Sequence, residues 1–317
     1  MTAIVHDPEN IAHHHLDHPE RPERYQAILE ALSNRGLLER MADVPLREAT
    51  SEEMARVHDH VLVSRIEEAL LKGGGMLDPD TYCTPASWDI ARRAAGGLTD
   101  LCLAVARGEA ANGLAVLRPP GHHVTRTVSM GFGLINLAAI AARALQDAQV
   151  ASRIAIVDFD VHHGNGTEDI FADDPTVFYA STHQYPHYPG TGRARDTGTG
   201  AGTGTTLNIP LAAGTGDDEF LAAYRENILP AVENFAPDFL LVSAGYDAHR
   251  DDPLAGLEVS DEGFQLLEEE LMALAHRCCG GKIVMNLEGG YHLEALGRCV
   301  GHSAARLLAA ASGKDLS

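Results

Sequence analysis

The chain has 317 residues, 45 % of them hydrophobic, which suffices for a substantial core in one large domain or two small ones. Its 45 acidic and 24 basic side chains leave a formal net charge of −21, which argues against a surface for DNA, RNA or anionic lipid but leaves a basic protein or polyamine open as substrate. Five cysteines without CxxC spacing make neither a disulfide framework nor a zinc ribbon, and they fit reduced thiols in a cytoplasmic protein.

In chain order, the first seven residues show no basic-then-apolar signal pattern. Beyond them, short apolar runs alternate with longer helical patterns. Strands are expected at residues 3–5, 114–117, 154–159, 177–180, 239–243 and 283–287. Helices are expected at 22–35, 85–107, 134–146, 217–235, 261–278 and 292–311; in the first, Tyr25, Ile28, Leu29 and Leu32 recur at helical spacing. The longest apolar helical stretch, 134–145, contains Arg143 and is too short to span a bilayer. This alternation predicts an α/β fold, a parallel sheet covered on both faces, in a single domain over 1–317. The segment 73–85 (GGGMLDPDTYCTP) is expected to form a rim loop that offers Asp78 or Asp80 to a substrate backbone. The Gly- and Thr-rich segment 189–216 is expected to be a flexible surface loop, because it lacks the context of a nucleotide-binding turn.

Reactive side chains follow four of the apolar runs. Residues 114–117 lead into Arg118-Pro-Pro-Gly-His122-His123, and 154–157 into Asp158-Phe-Asp160-Val-His162-His163-Gly-Asn165. Residues 239–243 lead into Ala-Gly-Tyr246-Asp247-Ala-His249, and 283–287 into Glu288-Gly-Gly-Tyr291. Ligands of open parallel sheets bind beyond the carboxyl ends of the strands, so four strands here serve one rim. Asp160 and His162, two apart on extended chain, point to the same side. With Asp247 they offer two carboxylates and one imidazole, leaving room for water and substrate as a catalytic zinc requires. Alone, the DxDxH run reads equally well as capping or salt-bridging carboxylates. His122 and His123 suit a general base and acid acting on water activated by a metal, whereas His13-His14-His15 is expected to lie on the surface. Tyr291 suits a donor to the oxyanion of a tetrahedral intermediate, although a tyrosine alone is more often a packing residue.

The runs HPERPER at 18–24, RPPGHH at 118–123, GFGLIN at 131–136, DFDVHHGNGT at 158–167, YPGTG at 188–192, SAGYDAH at 243–249 and LEGGY at 287–291 span nearly the whole chain. In these runs the sequence resembles the histone deacetylase family, including its class II-like bacterial deacetylases and acetylpolyamine amidohydrolases. The resemblance implies a three-layer α/β/α arginase/deacetylase-like fold with an eight-stranded parallel sheet. It implies one zinc ion held by Asp160, His162 and Asp247. His123 is then the main general base and acid, and His122 is its electrostatic partner with Asp158 behind it. Asn165 stands behind His123, where many members carry Asp, and Tyr291 polarises the substrate carbonyl. Gly131, Phe132 and Tyr188 line an acyl-lysine tunnel, and Arg24 lies near an internal acetate-release cavity. Potassium is implied at two sites, one with Asp158, Asp160, His162 and Ser181, the other with backbone oxygens of Phe171 and Val177.

Two departures narrow the expectation. Arginase-type relatives hold two manganese ions with extra carboxylates, and the matching positions here are Gly164 and Gly245, which implies one metal and amide hydrolysis. Polyamine-specialised members can carry a glutamate gatekeeper; the matching residue here is Leu254, and an apolar gate disfavours a cationic polyamine. The expected reaction is deacetylation of N-ε-acetyl-lysine in proteins or peptides. The alternatives are an acetylpolyamine or other small N-acyl amidohydrolase, and a catalytically inactive acyl-lysine binder. Acyl length, oligomeric state and iron or cobalt in place of zinc stay open.

Overall fold

The computed structural model describes residues 1–313; the last four residues of the 1–317 domain expected from the sequence lie outside the described residues. The strands are β1 (Thr2–His6), β2 (Ala42–Asp43), β3 (Gly75–Asp78), β4 (Thr81–Cys83), β5 (Asn112–Val116), β6 (Ile154–Asp158), β7 (Val177–Gln184), β8 (Thr206–Leu211), β9 (Phe239–Ala244) and β10 (Ile283–Leu287). The helices are α1 (Pro22–Asn34), α2 (Ser51–Ala55), α3 (His60–Leu71), α4 (Ser87–Ala106), α5 (Leu137–Asp147), α6 (Asn165–Phe171), α7 (Asp217–Ala223), α8 (Leu229–Phe235), α9 (Asp261–Cys279) and α10 (Leu293–Ala311).

Eight strands form one sheet in the order β2-β1-β5-β10-β9-β6-β7-β8, with every pairing parallel. β3 and β4 form a separate antiparallel hairpin. The central strands are buried along their whole length, as a parallel sheet covered on both faces requires. Successive side chains point to opposite faces. Ala155, Val157, Leu240, Val242 and Met285 therefore pack with Ile28 and Leu32 of α1, Leu267 and Leu271 of α9, and Leu307 of α10. Ile154, Ile156, Phe239, Leu241 and Val284 pack with Leu98 and Leu101 of α4 and Ile140 and Leu145 of α5. Each fully buried Leu, Ile or Phe side chain contributes about 1.5–3 kcal/mol, so these two faces hold the layers together.

The structure adds short elements that were not expected and departs from the expected ones in several places. The expected loop at 189–216 contains β8, an edge strand that includes Pro210. Proline is tolerated at an edge, where one side of the strand has no ladder to complete, and the mixed composition of this strand hid it. The expected helix 217–235 is interrupted by a π-helical turn at Tyr224–Ile228, just before Pro230 in the first turn of α8. A proline there cannot donate a helical hydrogen bond, and the wider turn accommodates it. α5 begins at Leu137, because the side chain of Asn136 accepts from Ala139 N at 2.9 Å and caps it. Finally, His14 and His15 are exposed but His13 is fully buried, stacked on Tyr82 at 4.3 Å and bonded to Ser87 Oγ at 2.6 Å. Among the described residues no helix is long and apolar enough to cross a membrane.

Buried neutral histidines make the fold sensitive to acid. His58 Nδ1 donates to Thr125 O at 3.0 Å while its Nε2 accepts from Asn136 N at 2.9 Å, so the neutral ring uses both nitrogens. Burial lowers its pKa from 6.5 to about 4. His13 is also lowered to about 4, by burial that the charge of Glu20 only partly offsets. Between these values and 6.5 the unfolded chain binds more protons than the native one, so stability falls as pH falls through that window. The urea midpoint is expected to be lower at pH 5 than at pH 7.5, with a smaller drop in His58→Gln. Equal midpoints for the native chain would contradict this account.

Candidate active site

Four neighbouring strands, β5, β10, β9 and β6, carry the four reactive tails. Their register aligns Asp158 with Ser243 and Leu287 with Ala244, so the tails leave the sheet at one level. Asp160 and Asp247 are each 1 % exposed, and Asp158 is fully buried. Backbone donors orient the first two. His162 N reaches Asp160 Oδ1 at 2.9 Å, Gly289 N reaches Asp160 Oδ2 at 2.8 Å, and Val161 N reaches Asp247 Oδ1 at 2.9 Å. His162 Nδ1 lies 3.1 Å from Asp160 Oδ1 and 3.2 Å from Asp247 Oδ2.

These residues fit a single cation. One ligand atom from each of Asp160, His162 and Asp247 lies within 4.8 Å of the others. Burial alone would lower the His162 pKa, but its hydrogen bonds to Asp160 and Asp247 outweigh burial and raise it to about 10. A ring driven to hold a proton between two carboxylates marks a place where positive charge is favoured. Burial, and then the charge of Asp160, push Asp247 upward. Two carboxylates and an imidazole suit zinc, and also iron or cobalt. A Cβ on Gly245 would strike the Asp160 carboxylate, and one on Gly289 would strike both Asp247 and Asp160. A Cβ on Gly164 would meet Asp158, Tyr179 and His122. Gly245, Gly289 and Gly164 thus leave no room for side chains against these carboxylates.

A second group of metal-capable atoms, His249, Asp261 and Cys299, is less suited. His249 Nδ1 accepts from Asp251 N at 3.1 Å, which places the ring proton on Nε2, the nitrogen nearer Asp261. Arg298 already pairs with Asp261 at 3.1 Å.

Glu288 holds the His122-His123 turn. Its Oε2 accepts from Gly121 N at 2.8 Å and His122 N at 3.2 Å. Asp158 Oδ2 accepts from His122 Nδ1 at 2.9 Å and from the Tyr179 hydroxyl at 3.1 Å. His123 Nδ1 donates to Asn165 Oδ1 at 2.8 Å, which leaves its Nε2 with a free lone pair. The two rings are pushed apart electrostatically. Burial would lower His122, but Asp158 and Asp160 outweigh it and raise the ring well above 6.5. Burial, with the charges of His122 and His162, holds His123 well below 6.5. A bound cation would push both downward. Such a split is what separate acid–base roles need.

A cavity of about 210 Å³ leads to this cluster, lined by Phe132, Tyr188, Leu254, Tyr291, Gly131 and Asp80 together with His122, His123 and His162. Of the two rim candidates, Asp80 is among the lining residues and Asp78 is not. A larger cleft of about 510 Å³ opens at the opposite ends of the strands, near Asn112 and Ile283, without this acid–base set. Gly131 has φ +55°, and a Cβ there would strike the His123 ring. Phe132 has φ +69°, a conformation that costs a bulky residue about 1–3 kcal/mol. It is held by its N–H to Thr81 Oγ1 at 3.0 Å and by edge contacts with His18 at 4.6 Å and Tyr291 at 5.8 Å. Tyr188 meets His123 edge-on at 5.1 Å.

Arg24 is fully buried and supports the Tyr291 turn from below. It donates to Gly290 O at 2.6 Å and Glu288 O at 2.5 Å, and lies 4.8 Å from the Tyr291 ring centre. Glu20 pairs with Arg24 at 3.3 Å and, twice, with the buried Arg118. Removing one member of such a buried set costs about 3–5 kcal/mol. Of the expected potassium residues, Ser181 is the register partner of Asp158 and bonds His183 Nδ1 at 2.9 Å. Phe171 ends α6 and Val177 begins β7; both are buried, and Phe171 O accepts from Asp174 N at 3.0 Å. The sequence reading assigned no role to Glu288 or Asp252. Both bind backbone N–H groups of distant turns, a task that leaves no mark in spacing.

A histone deacetylase domain matches residues 18–307. Histone deacetylase 14, chloroplastic, of Arabidopsis thaliana is 41 % identical over 94 % of this chain and 74 % of its own length. A probable deacetylase of Archaeoglobus fulgidus is 39 % identical over all of this chain and 88 % of its own. The crystal structure of the HDA15 HD domain superposes with a TM-score of 0.92 at 36 % identity, covering 99 % of this chain and 90 % of that one. The eight-stranded parallel sheet is thus the arginase/deacetylase fold. The chain belongs to the histone deacetylase family and is an amide-hydrolysing deacetylase.

Gly289→Ala, which forces Asp160 and Asp247 apart, is expected to weaken zinc binding about 10- to 100-fold, as loss of supporting contacts around a metal site does. Calorimetric titration of chelator-treated protein checks this; unchanged affinity would contradict it.

Proposed function

We propose that the protein deacetylates N-ε-acetyl-lysine in proteins or peptides, with one zinc ion held by Asp160, His162 and Asp247. The observation that carries this reading is the narrow cavity, walled by Phe132, Tyr188 and Leu254, that ends on the carboxylate–imidazole cluster, His123 and Tyr291. It suits a thin aliphatic chain with an amide at its tip.

Bound there, zinc would supply Lewis acidity to the amide carbonyl and the attacking water. The protein's own groups move the protons. His123 Nε2 takes a proton from the water, and the bond from Nδ1 to Asn165 keeps the ring in the tautomer that can do so. As the water oxygen bonds the carbonyl carbon, the Tyr291 hydroxyl donates to the carbonyl oxygen that gains charge. Burial raises the Tyr291 pKa well above 10, so the phenol keeps the proton it must donate. His123 then passes its proton to the leaving amine, the C–N bond breaks and acetate remains. His122, held by Asp158, stands beside His123 as its electrostatic partner. Phe132 and Tyr188 orient the chain and exclude water.

A second reading, an acetylpolyamine or other small N-acyl amine as substrate, draws on Asp80 in the cavity wall, whose charge suits a cationic ligand. Leu254 in the same wall favours the peptide. An inactive binder would have no use for both His123 and Tyr291 in these positions. We propose potassium near Asp158 and Ser181, and near Phe171 and Val177, on family resemblance. A cytoplasmic location is supported by five free cysteines.

Zinc-loaded protein is expected to show higher kcat/KM on an acetyl-lysine peptide than on an N-acetylated polyamine, with both activities lost to a chelator. Leu254→Glu should raise the polyamine activity. A native preference for the polyamine would favour the second reading. Tyr291→Phe is expected to lower kcat about 10²- to 10³-fold, the usual loss for one oxyanion donor. Full activity in that variant would remove Tyr291 from the mechanism.

A further inference from the structure

We infer that Asp252 is a positioning residue that holds the Tyr291 hydroxyl at its working height and ties it to the Leu254 wall. This rests on the reading of Tyr291 as the oxyanion donor.

Between β10 and α10 the chain passes through residues 288–292 without regular structure. Gly290 has φ +117°, so the turn departs from ordinary L-residue backbone just before Tyr291. The hydrogen bonds that would hold such a turn come from elsewhere. Asp252 Oδ2 accepts from Tyr291 N at 2.6 Å and from His292 N at 3.2 Å. Two consecutive N–H groups on one oxygen fix the peptide plane from which the Tyr291 side chain springs. Arg24 holds the carbonyls on the other side of the turn, and Gly289 N is committed to Asp160. The direction of the phenol is therefore set by side chains from three other parts of the chain.

Asp252 is itself well anchored. It is 7 % exposed, and its N–H donates to His249 O at 2.9 Å. Its Oδ1 accepts from Leu254 N at 3.0 Å, while Leu254 O accepts from His187 Nε2 at 3.1 Å. One carboxylate thus spans two loops, the one after β9 that follows Asp247 and the one after β10 that carries Tyr291. No other group is bonded to Tyr291 N among the described residues. Without an acceptor, the buried N–H of Tyr291 and the half-buried N–H of His292 would lose their partner, and the turn would shift to find others. A displacement of about 1 Å at a reacting group can cost about 10²-fold in rate.

The test is a double-mutant cycle on kcat with the acetyl-lysine peptide, using the zinc-loaded full chain. Asp252→Asn keeps the shape but leaves a single accepting oxygen, so either the Tyr291 turn or Leu254 faces an NH₂ group. It is expected to lower kcat about 10- to 100-fold. In a Tyr291→Phe background the same change should cost less than about threefold, because the group it positions is already gone. In a Leu254→Ala background the full loss should persist. The same factor in the native and Tyr291→Phe backgrounds, or no loss in the native one, would overturn the inference. If Tyr291→Phe alone keeps native activity, the oxyanion-donor reading fails and this inference falls with it. A crippled Tyr291→Phe with an additive Asp252→Asn sinks only the inference. Should Asp252→Asn not fold, Asp252→Glu retains a carboxylate one methylene longer, and the same non-additivity is expected of it.

Discussion

Three carboxylates, those of Asp158, Asp160 and Asp247, are buried together where the chain leaves two adjacent strands. Like charges about 4 Å apart repel by about 4 kcal/mol even at an effective dielectric of about 20, and burial leaves little bulk water to screen these. Asp158 is largely answered by His122 and Tyr179. Asp160 and Asp247 share the His162 ring and a few backbone N–H groups, which is too little for two full charges. A divalent cation held by Asp160, His162 and Asp247, as proposed, would resolve the excess. Much of the surrounding structure follows from keeping this charge dry and correctly spaced.

The glycines are the first consequence. Gly245, Gly289 and Gly164 stand against the carboxylates, and any side chain there would displace them. Loops are the second. None of the proposed catalytic tails belongs to a helix or strand at its working residue except Asp158, which ends β6, and Asn165, which begins α6. Side chains replace the missing ladder: Glu288 under the histidine turn, Asp252 and Arg24 around the tyrosine turn, Thr81 beneath Phe132. Such bonds hold one geometry and tolerate little adjustment, which is how loop residues reach the precision that proton transfer demands.

The four tails were legible in the sequence because each follows a continuous apolar run, and a parallel sheet collects the ends of such runs on one rim. The period-two rule treats Asp160 and His162 as extended chain; they instead lie in a bend just beyond β6, yet the structure still brings both together with Asp247. β8 was not legible, since an edge strand needs only one apolar side and can carry Pro210. α2, α3 and the β3–β4 hairpin are short or partly exposed and lack a long apolar period. His13 looked like part of a surface run because its partners, Ser87 and Tyr82, are some seventy positions away. The roles of Asp252 and Glu288 were invisible for the same reason, since a carboxylate that binds backbone N–H groups does not constrain the residue types opposite it.

The most direct measurement is a zinc titration of chelator-stripped protein with deacetylation of an acetyl-lysine peptide followed at each addition. If one cation resolves the buried charge and enables the reaction, activity rises in proportion to zinc and levels off at one equivalent per chain. Full activity in the stripped protein, or a requirement for two equivalents, would contradict the account.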